Sequence, residues 1–85
     1  GENMLHVDVS VPAISKSYEF SLSEHAKISM LIEEIASVIQ QKEQRQWQGK
    51  IDNLILCNQS NGHTLPMEKT LYECKVSPGS RLLLL

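Results

Sequence analysis

The residues of this chain that could do chemistry are three histidines and two cysteines, which are common zinc ligands. They are His6, His25, Cys57, His63 and Cys74. A zinc site usually contains at least one close pair of ligands, because the ligand atoms must converge at about 2.0–2.3 Å from the metal. No pair here has a spacing such as C-x₂-C or H-x₃-H. The sequence therefore favours surface histidines and buried thiols, and it predicts no metal or cofactor site.

Catalysis would need a nucleophile beside a base, or paired carboxylates in a cleft. Cys74 precedes Lys75 and could be activated, but we expect it to pack beneath a turn. Glu33 and Glu34 are adjacent on a predicted helix, so their side chains do not face each other. The sequence predicts a protein that is not an enzyme, with a thiol or redox enzyme using Cys74 as the alternative.

Composition limits the classes of partner. The chain has 85 residues, of which 41% are hydrophobic and 21% charged, as in an ordinary soluble domain. A net charge of −2 and scattered Lys and Arg argue against nucleic acid. The apolar run Leu82–Leu85 is far shorter than the ~20 residues that span a bilayer, so we expect no membrane insertion. We expect reduced cysteines and a cytoplasmic location.

We expect a single domain over residues 4–85. Residues 1–3 would be a disordered or expression-derived leader before Met4. The sequence does not indicate an oligomeric state.

Two alternating runs open the domain. Apolar residues alternate with polar ones over 5–11 and again over 18–22, which predicts two half-buried strands. They are close enough to form an antiparallel hairpin with both apolar sets on one face. The period then changes: Ile28, Leu31, Ile32, Ile35 and Ile39 recur every three or four residues, which predicts an amphipathic helix. Ser23 and Ser29 are its candidate caps, and we expect fraying over 40–46.

The remaining elements are short. Residues 54–57 predict a strand, 63–65 a brief edge strand closed by Pro66, and 81–85 a last strand. Before that strand, Leu71 and Val76 flank a predicted 3₁₀-like turn, and Pro78-Gly79 predicts a second turn. The order ββαβ(β)β predicts an α+β fold: one helix packed across one face of a mixed sheet of four to five strands.

The ending TLYECKVSPGSRL, residues 70–82, resembles the closing motif of ubiquitin-like, or β-grasp, proteins. Three stretches are similar to the YukD-like family, small ubiquitin-like proteins of bacterial type VII (WXG100) secretion systems. They are LHVDVSV at 5–11, LSEH at 22–25 and LYECKVSPGSRL at 71–82. The resemblance implies a β-grasp domain that acts in the cytoplasm, docking on cytosolic parts of a membrane secretion apparatus or on its substrates.

Ubiquitin-like modifiers need a flexible tail ending in Gly-Gly. This sequence ends at Leu85 inside the predicted last strand, so we expect a domain that is not conjugated. The alternatives are a ubiquitin-like modifier, a sulfur carrier, and a ubiquitin-like domain cut from a larger protein.

The candidate binding surface follows from strand alternation. If Leu82 and Leu84 point inward, then Ile55, Leu83 and Leu85 point outward. Ile55 and Leu85 fall where ubiquitin-type proteins keep an exposed apolar docking patch, and we expect His6 and Arg81 at its polar rim. The alternative is that the Trp47 loop covers one or two of these side chains, or that they are simply exposed.

Trp47-Gln48-Gly49 spells W-x-G, the signature of the secreted WXG100 substrates, which are helical hairpins. Strand patterns flank the tripeptide here, and Pro66 and Pro78 would break a second helix. We therefore interpret the tripeptide as coincidence. We expect Trp47 to cap the open end of the core or to lie on the surface beside the third strand.

Overall fold

The computed structural model describes residues 3–85 and shows one helix packed across one face of a four-stranded sheet. The strands are β1 Met4–Val11, β2 Lys16–Ser23, β3 Leu56–Asn58 and β4 Arg81–Leu84, and the helix is α1 Ile28–Glu43. The strand order is β2-β1-β4-β3. β1 and β4 are parallel, and the other two pairs are antiparallel. The predicted α+β architecture with a mixed sheet is confirmed.

The β1–β2 hairpin has the predicted facing. Leu5 pairs with Leu22 and Val7 with Phe20, and all four side chains are buried beneath α1. The connection is a 3₁₀ turn at Pro12–Ile14, followed by Ser15 in the left-handed region at φ 54°. Because the side-chain period of a strand is two, one correct pairing fixes the facing of the whole hairpin.

The helix buries the predicted stripe, but its ends differ from the prediction. Neither Ser23 nor Ser29 caps it: α1 begins after Lys27 without a side-chain cap. Its first amides instead donate to carbonyls of a distant loop, Ile28 to Lys69 at 2.8 Å and Ser29 to Met67 at 3.0 Å. These bonds satisfy donors that every helix start leaves free.

The predicted fraying of α1 over 40–46 is also wrong in part. The helix continues regularly to Glu43 and ends at Gln44, which is left-handed at φ 55° and donates its amide to the Gln40 carbonyl. This left-handed ending satisfies a carbonyl of the last turn, which explains how a run of polar residues stays helical.

The short strands complete the sheet. β3 begins at Leu56, two residues later than predicted, although Ile55 still exchanges both backbone hydrogen bonds with Leu85. The predicted edge strand at 63–65 is reduced to a single bridge between Cys57 and Thr64. The inward side chains of β3 and β4, Leu56, Leu82 and Leu84, are at most 1% exposed, as predicted.

The closing turn, residues 70–80 before β4, places one buried side chain on each side of its first bend. Leu71 and Val76 are buried, and the Val76 amide donates to the Leu71 carbonyl at 3.1 Å. Thr70 and Glu73 exchange reciprocal side chain-to-backbone hydrogen bonds of 3.1 Å, as in a capping box. Gly79, at φ 81°, then directs the chain into β4.

The predicted leader lies largely outside the described residues. Its last residue, Asn3, accepts a hydrogen bond from the Glu24 amide at 3.1 Å. Trp47 is half-buried against the end of the core, and its amide donates to Gln40 Oε1 at 2.7 Å.

Candidate protein-binding face

The outer face of the sheet is the side turned away from α1, and alternate residues of all four strands form it. The register arranges these residues in rows across the strands. From one end to the other, the rows are Ile55 and Leu85; Cys57, Leu83, Ser10 and Ser17; Arg81, Asp8 and Glu19; His6 and Ser21; and Met4 and Ser23.

The three predicted aliphatic residues lie together at one end of this face. Ile55 and Leu85 pair through two backbone hydrogen bonds of 2.9 Å each, and Leu83 is two residues back along β4. Ile55 and Leu83 are half-buried, whereas Leu85 is 50% exposed. We call Ile55, Leu83 and Leu85 the apolar cluster.

Cys57 extends the apolar cluster toward the edge of the sheet. It pairs with Leu83 on the outer face but is only 7% exposed. The bridge to Thr64 explains this burial, since Cys57 Sγ lies 3.7 Å from Thr64 Oγ1. The predicted buried thiol is therefore buried, but on the face opposite the core.

A charged row follows the apolar cluster along the strands. Arg81, also predicted, pairs with Asp8, and Asp8 pairs with Glu19 on its other side. These three side chains line a shallow groove of about 420 Å³ together with Gln59. Sequence reasoning missed Asp8 and Glu19 as site residues, although their alternation with buried neighbours on the same strands places them outside.

His6 lies in the row beyond the charged row. Its carbonyl accepts a hydrogen bond from the Gly79 amide at 2.7 Å, and its side chain is exposed. It is four residues from Ser10, the partner of Leu83, which corresponds to about 13 Å along a strand. The structure therefore places Arg81, but not His6, directly beside the apolar cluster.

A second cleft lies at the end of the core, between the hairpin turn and the C-terminus of α1. It has a volume of about 330 Å³ and is lined by Ile14, Ile39 and Trp47, among others. Glu43 at its edge accepts hydrogen bonds from Lys16 Nζ at 2.7 Å and from the Tyr18 hydroxyl. The two hydrogen bonds of Glu43 join the end of α1 to the start of β2.

These hydrogen bonds shift the pKa values of both Glu43 and Tyr18. The bonds from Lys16 and then from Tyr18 lower the pKa of Glu43 below its ordinary value. The Glu43 carboxylate, as acceptor, raises the pKa of Tyr18 to about 12, and desolvation adds to this. Both shifts favour the charged carboxylate and the neutral phenol at neutral pH.

The histidines and cysteines considered above as metal ligands or nucleophiles form no common site in the described residues. Both cysteines are free thiols, and burial raises the pKa of Cys74, an effect that nearby Lys69 only partly offsets. Within residues 3–85, no group of three or more His, Cys, Asp or Glu side chains could hold a metal ion. No helix in that part of the chain is long and apolar enough to cross a membrane.

Comparison with known proteins gives structural but not sequence-level relatives. No protein-family model matches the chain, and no curated protein matches its sequence. The ubiquitin-like domain of EccD5 from Mycobacterium xenopi is 22% identical, with a TM-score of 0.73 over 96% of this chain and 92% of that domain. The ubiquitin of Caldiarchaeum subterraneum is 14% identical, with a TM-score of 0.72 over 95% of this chain and 90% of the ubiquitin chain.

A third similar structure is a chain of an ESX-5 inner membrane complex free of MycP5. It is 18% identical, with a TM-score of 0.79 over 98% of this chain. The match covers only 21% of the chain from the complex. At these identities the similarity defines the fold. The chain has the ubiquitin-like fold.

Proposed function

We propose that this chain is a ubiquitin-like protein-binding module that acts by docking and not by conjugation, through the apolar cluster on the outer sheet face. The apolar cluster is the observation that carries the proposal. Half of Leu85 is open to solvent beside half-buried Ile55 and Leu83. Arg81 provides a polar rim, as in many interfaces, and exposed His6 lies one row beyond Arg81.

We further propose that the module is a YukD-like cytoplasmic component of a bacterial type VII secretion system, peripheral to its membrane complex. The sequence stretches at 5–11, 22–25 and 71–82 support this family. The likeness to the EccD5 domain and to a chain of an ESX-5 inner membrane complex supports the association with an ESX-like apparatus. Its partner would be a cytosolic part of that apparatus or one of its substrates.

A binding role agrees with the state of the thiols. Burial raises the pKa of Cys74, which keeps more of it protonated at neutral pH, and the thiolate is the nucleophilic form. Thiol-reactivity profiling of the native protein tests this. We expect slow labelling of Cys74, and rapid labelling would favour the thiol-enzyme alternative.

The test of the docking face is the double variant Ile55→Asp/Leu83→Asp. Each substitution places a carboxylate in the apolar cluster at a half-buried position, so the fold should persist. The matched control is Met30→Asp/Ser37→Asp, which adds the same charge at exposed positions of α1. Circular dichroism checks folding, and both variants are compared with wild type as baits in extracts of the native cells.

We expect the cluster variant to lose the proteins that wild type retains and the helix variant to keep them. Retention of the same proteins by a folded cluster variant would contradict the docking face. Recovery of a secretion ATPase or membrane component would support the type VII association, whereas covalent conjugates would favour a modifier.

The intact mass of the native protein distinguishes the alternatives to this proposal. A modifier or sulfur carrier requires glycines at a mature C-terminus, so the intact mass of the native protein, including any thiocarboxylate, distinguishes it. The same mass identifies a domain of a larger protein. That alternative is favoured by one observation: the similar chain of the ESX-5 complex is about five times as long as the matched part.

A further inference from the structure

The outer sheet face carries a charged row beside the apolar cluster. Glu19, Asp8 and Arg81 occupy adjacent positions on the neighbouring strands β2, β1 and β4, so Asp8 lies between the other two. The charged row therefore has an excess of one negative charge. Its member Arg81 lies two residues from Leu83 along β4 and on the same face, so a partner that covers the apolar cluster also meets this row.

Neither carboxylate of the charged row forms an ion pair with Arg81, although Arg81 neighbours Asp8 in the register. Asp8 and Glu19 are directly opposite each other, an arrangement in which like charges destabilise a sheet. Within residues 3–85 the ion pairs between charged side chains are Lys16–Glu43 and Lys27–Glu68, and neither includes Asp8, Glu19 or Arg81. Asp8 is half-buried, so its charge is less exposed to screening than a fully solvated one.

We propose that the partner of this face is a protein segment with an aliphatic or aromatic anchor and a Lys or Arg side chain about 8–16 Å from it. This proposal depends on the docking function proposed above. The anchor would contact the apolar cluster, and the cation would lie over Asp8 and Glu19. Charge complementarity argues for this occupant, because a basic side chain relieves the repulsion between the two carboxylates.

The spacing follows from the strand geometry. Leu83 and Leu85 are two and four residues from Arg81 in the charged row, which is about 7 and 13 Å at the rise of a strand. Asp8 and Glu19 lie one and two strands to the side, about 5 and 10 Å, so the direct separations are about 8–16 Å. A partner helix covers this distance in roughly one and a half to three turns. An extended segment covers it in about three to five residues.

A selection from a random peptide library against the folded chain tests the proposal, because it works without an identified partner. Each enriched peptide is measured against four proteins: wild type, Ile55→Asp/Leu83→Asp, Asp8→Asn/Glu19→Gln and Glu33→Gln/Glu34→Gln. The last pair removes the same charge from exposed positions of α1 and is the matched control. Sedimentation of wild type alone measures self-association.

We expect the enriched peptides to carry Lys or Arg at the stated distance from an apolar residue. They should bind Asp8→Asn/Glu19→Gln about threefold to tenfold more weakly than wild type, and Glu33→Gln/Glu34→Gln equally well. Peptides that need the apolar cluster but show no basic preference would overturn this inference and leave the docking function intact. Peptides indifferent to Ile55→Asp/Leu83→Asp, or no enrichment, would count against the docking function itself. A dimer of wild type that Ile55→Asp/Leu83→Asp abolishes would assign the face to a second copy of the chain and overturn the basic partner.

Discussion

Glu43 joins the end of the helix to the start of the hairpin's second strand through Lys16 and Tyr18. Its carboxylate is favoured in the fold, and its pKa is lowered from the ordinary 4.5. A lowered pKa contributes stability above the unfolded value, and that stability is lost as the pH falls through the folded value. We therefore expect Glu43→Gln to be less stable than wild type at neutral pH, with the difference shrinking below pH 4.5.

Urea denaturation of both proteins across the acid range measures this effect. Glu33→Gln makes the same change of charge at an exposed helix position and is the control. A difference between Glu43→Gln and wild type that stays constant down to the most acidic pH would contradict the role given to Glu43.

Tyr18 reports the same contact from the other side. In a Tyr72→Phe background it is the only tyrosine, so the ultraviolet absorbance of tyrosinate follows it alone. We expect its titration at about pH 12, and a shift toward 10 when Glu43 is replaced by Gln, because the hydrogen bond to the Glu43 carboxylate is lost together with its negative charge. Titration near 10 in both proteins would mean that the hydrogen bond to Glu43 does not persist in solution.

The closing turn before β4 depends on two residues in the left-handed region. Lys75 has φ 58° and Gly79 has φ 81°, with no atom within 4 Å of a Cβ added at Gly79. The strain of a substitution at Gly79 is therefore in the backbone alone. A side chain in this region costs roughly 1–2 kcal/mol.

We expect opposite effects at the two positions. Gly79→Ala should lower the free energy of unfolding by about 1 kcal/mol, because alanine resists positive φ. Lys75→Gly should raise it by up to about 1 kcal/mol, because glycine removes the strain at some cost in entropy. Urea midpoints measure both, and destabilisation by Lys75→Gly would show that the Lys75 side chain stabilises the turn in another way.

Strand facing could be predicted from the sequence, whereas the start of the helix could not. Alternation in β1 and β2 reports directly which side chains point inward. The run Leu82–Leu85 does not alternate, so the inward facing of Leu82 and Leu84 is a premise of the prediction, and their burial confirms it. The amide donors of Ile28 and Ser29 are satisfied by carbonyls of Lys69 and Met67, about forty positions along the chain. No local residue pattern contains that information.

At the scale of the whole molecule, the candidate site depends on strand order. The apolar cluster could be predicted only on the premise that Leu82 and Leu84 face the core, because Leu82–Leu85 is an unbroken leucine run. Alternation places Asp8 and Glu19 on the outer face, but the position of Arg81 beside Asp8 could not be predicted, since it depends on the parallel pairing of β4 with β1. The same pairing explains why His6, whose predicted place is the rim, lies a strand's half-length from the apolar cluster.

The two faces of the sheet should respond differently to charge. Leu56 and Leu84 are at most 1% exposed, so Leu56→Asp/Leu84→Asp would bury two carboxylates in the core and should unfold the protein. Ile55→Asp/Leu83→Asp, on the same strands but on the outer face, should keep its thermal transition. Thermal denaturation followed by circular dichroism compares them, and equal loss of structure would show that the outer face also belongs to the core.

The most direct test of the docking face is an amide chemical-shift map of the isotope-labelled protein, recorded by NMR while a captured partner is added. We expect the largest changes at Ile55, Cys57 and Leu83, with smaller ones at Asp8 and Arg81. The exposed side of α1, including Glu33 and Glu34, should remain unchanged. Largest changes on α1, with the outer sheet face unaffected, would contradict docking through the apolar cluster.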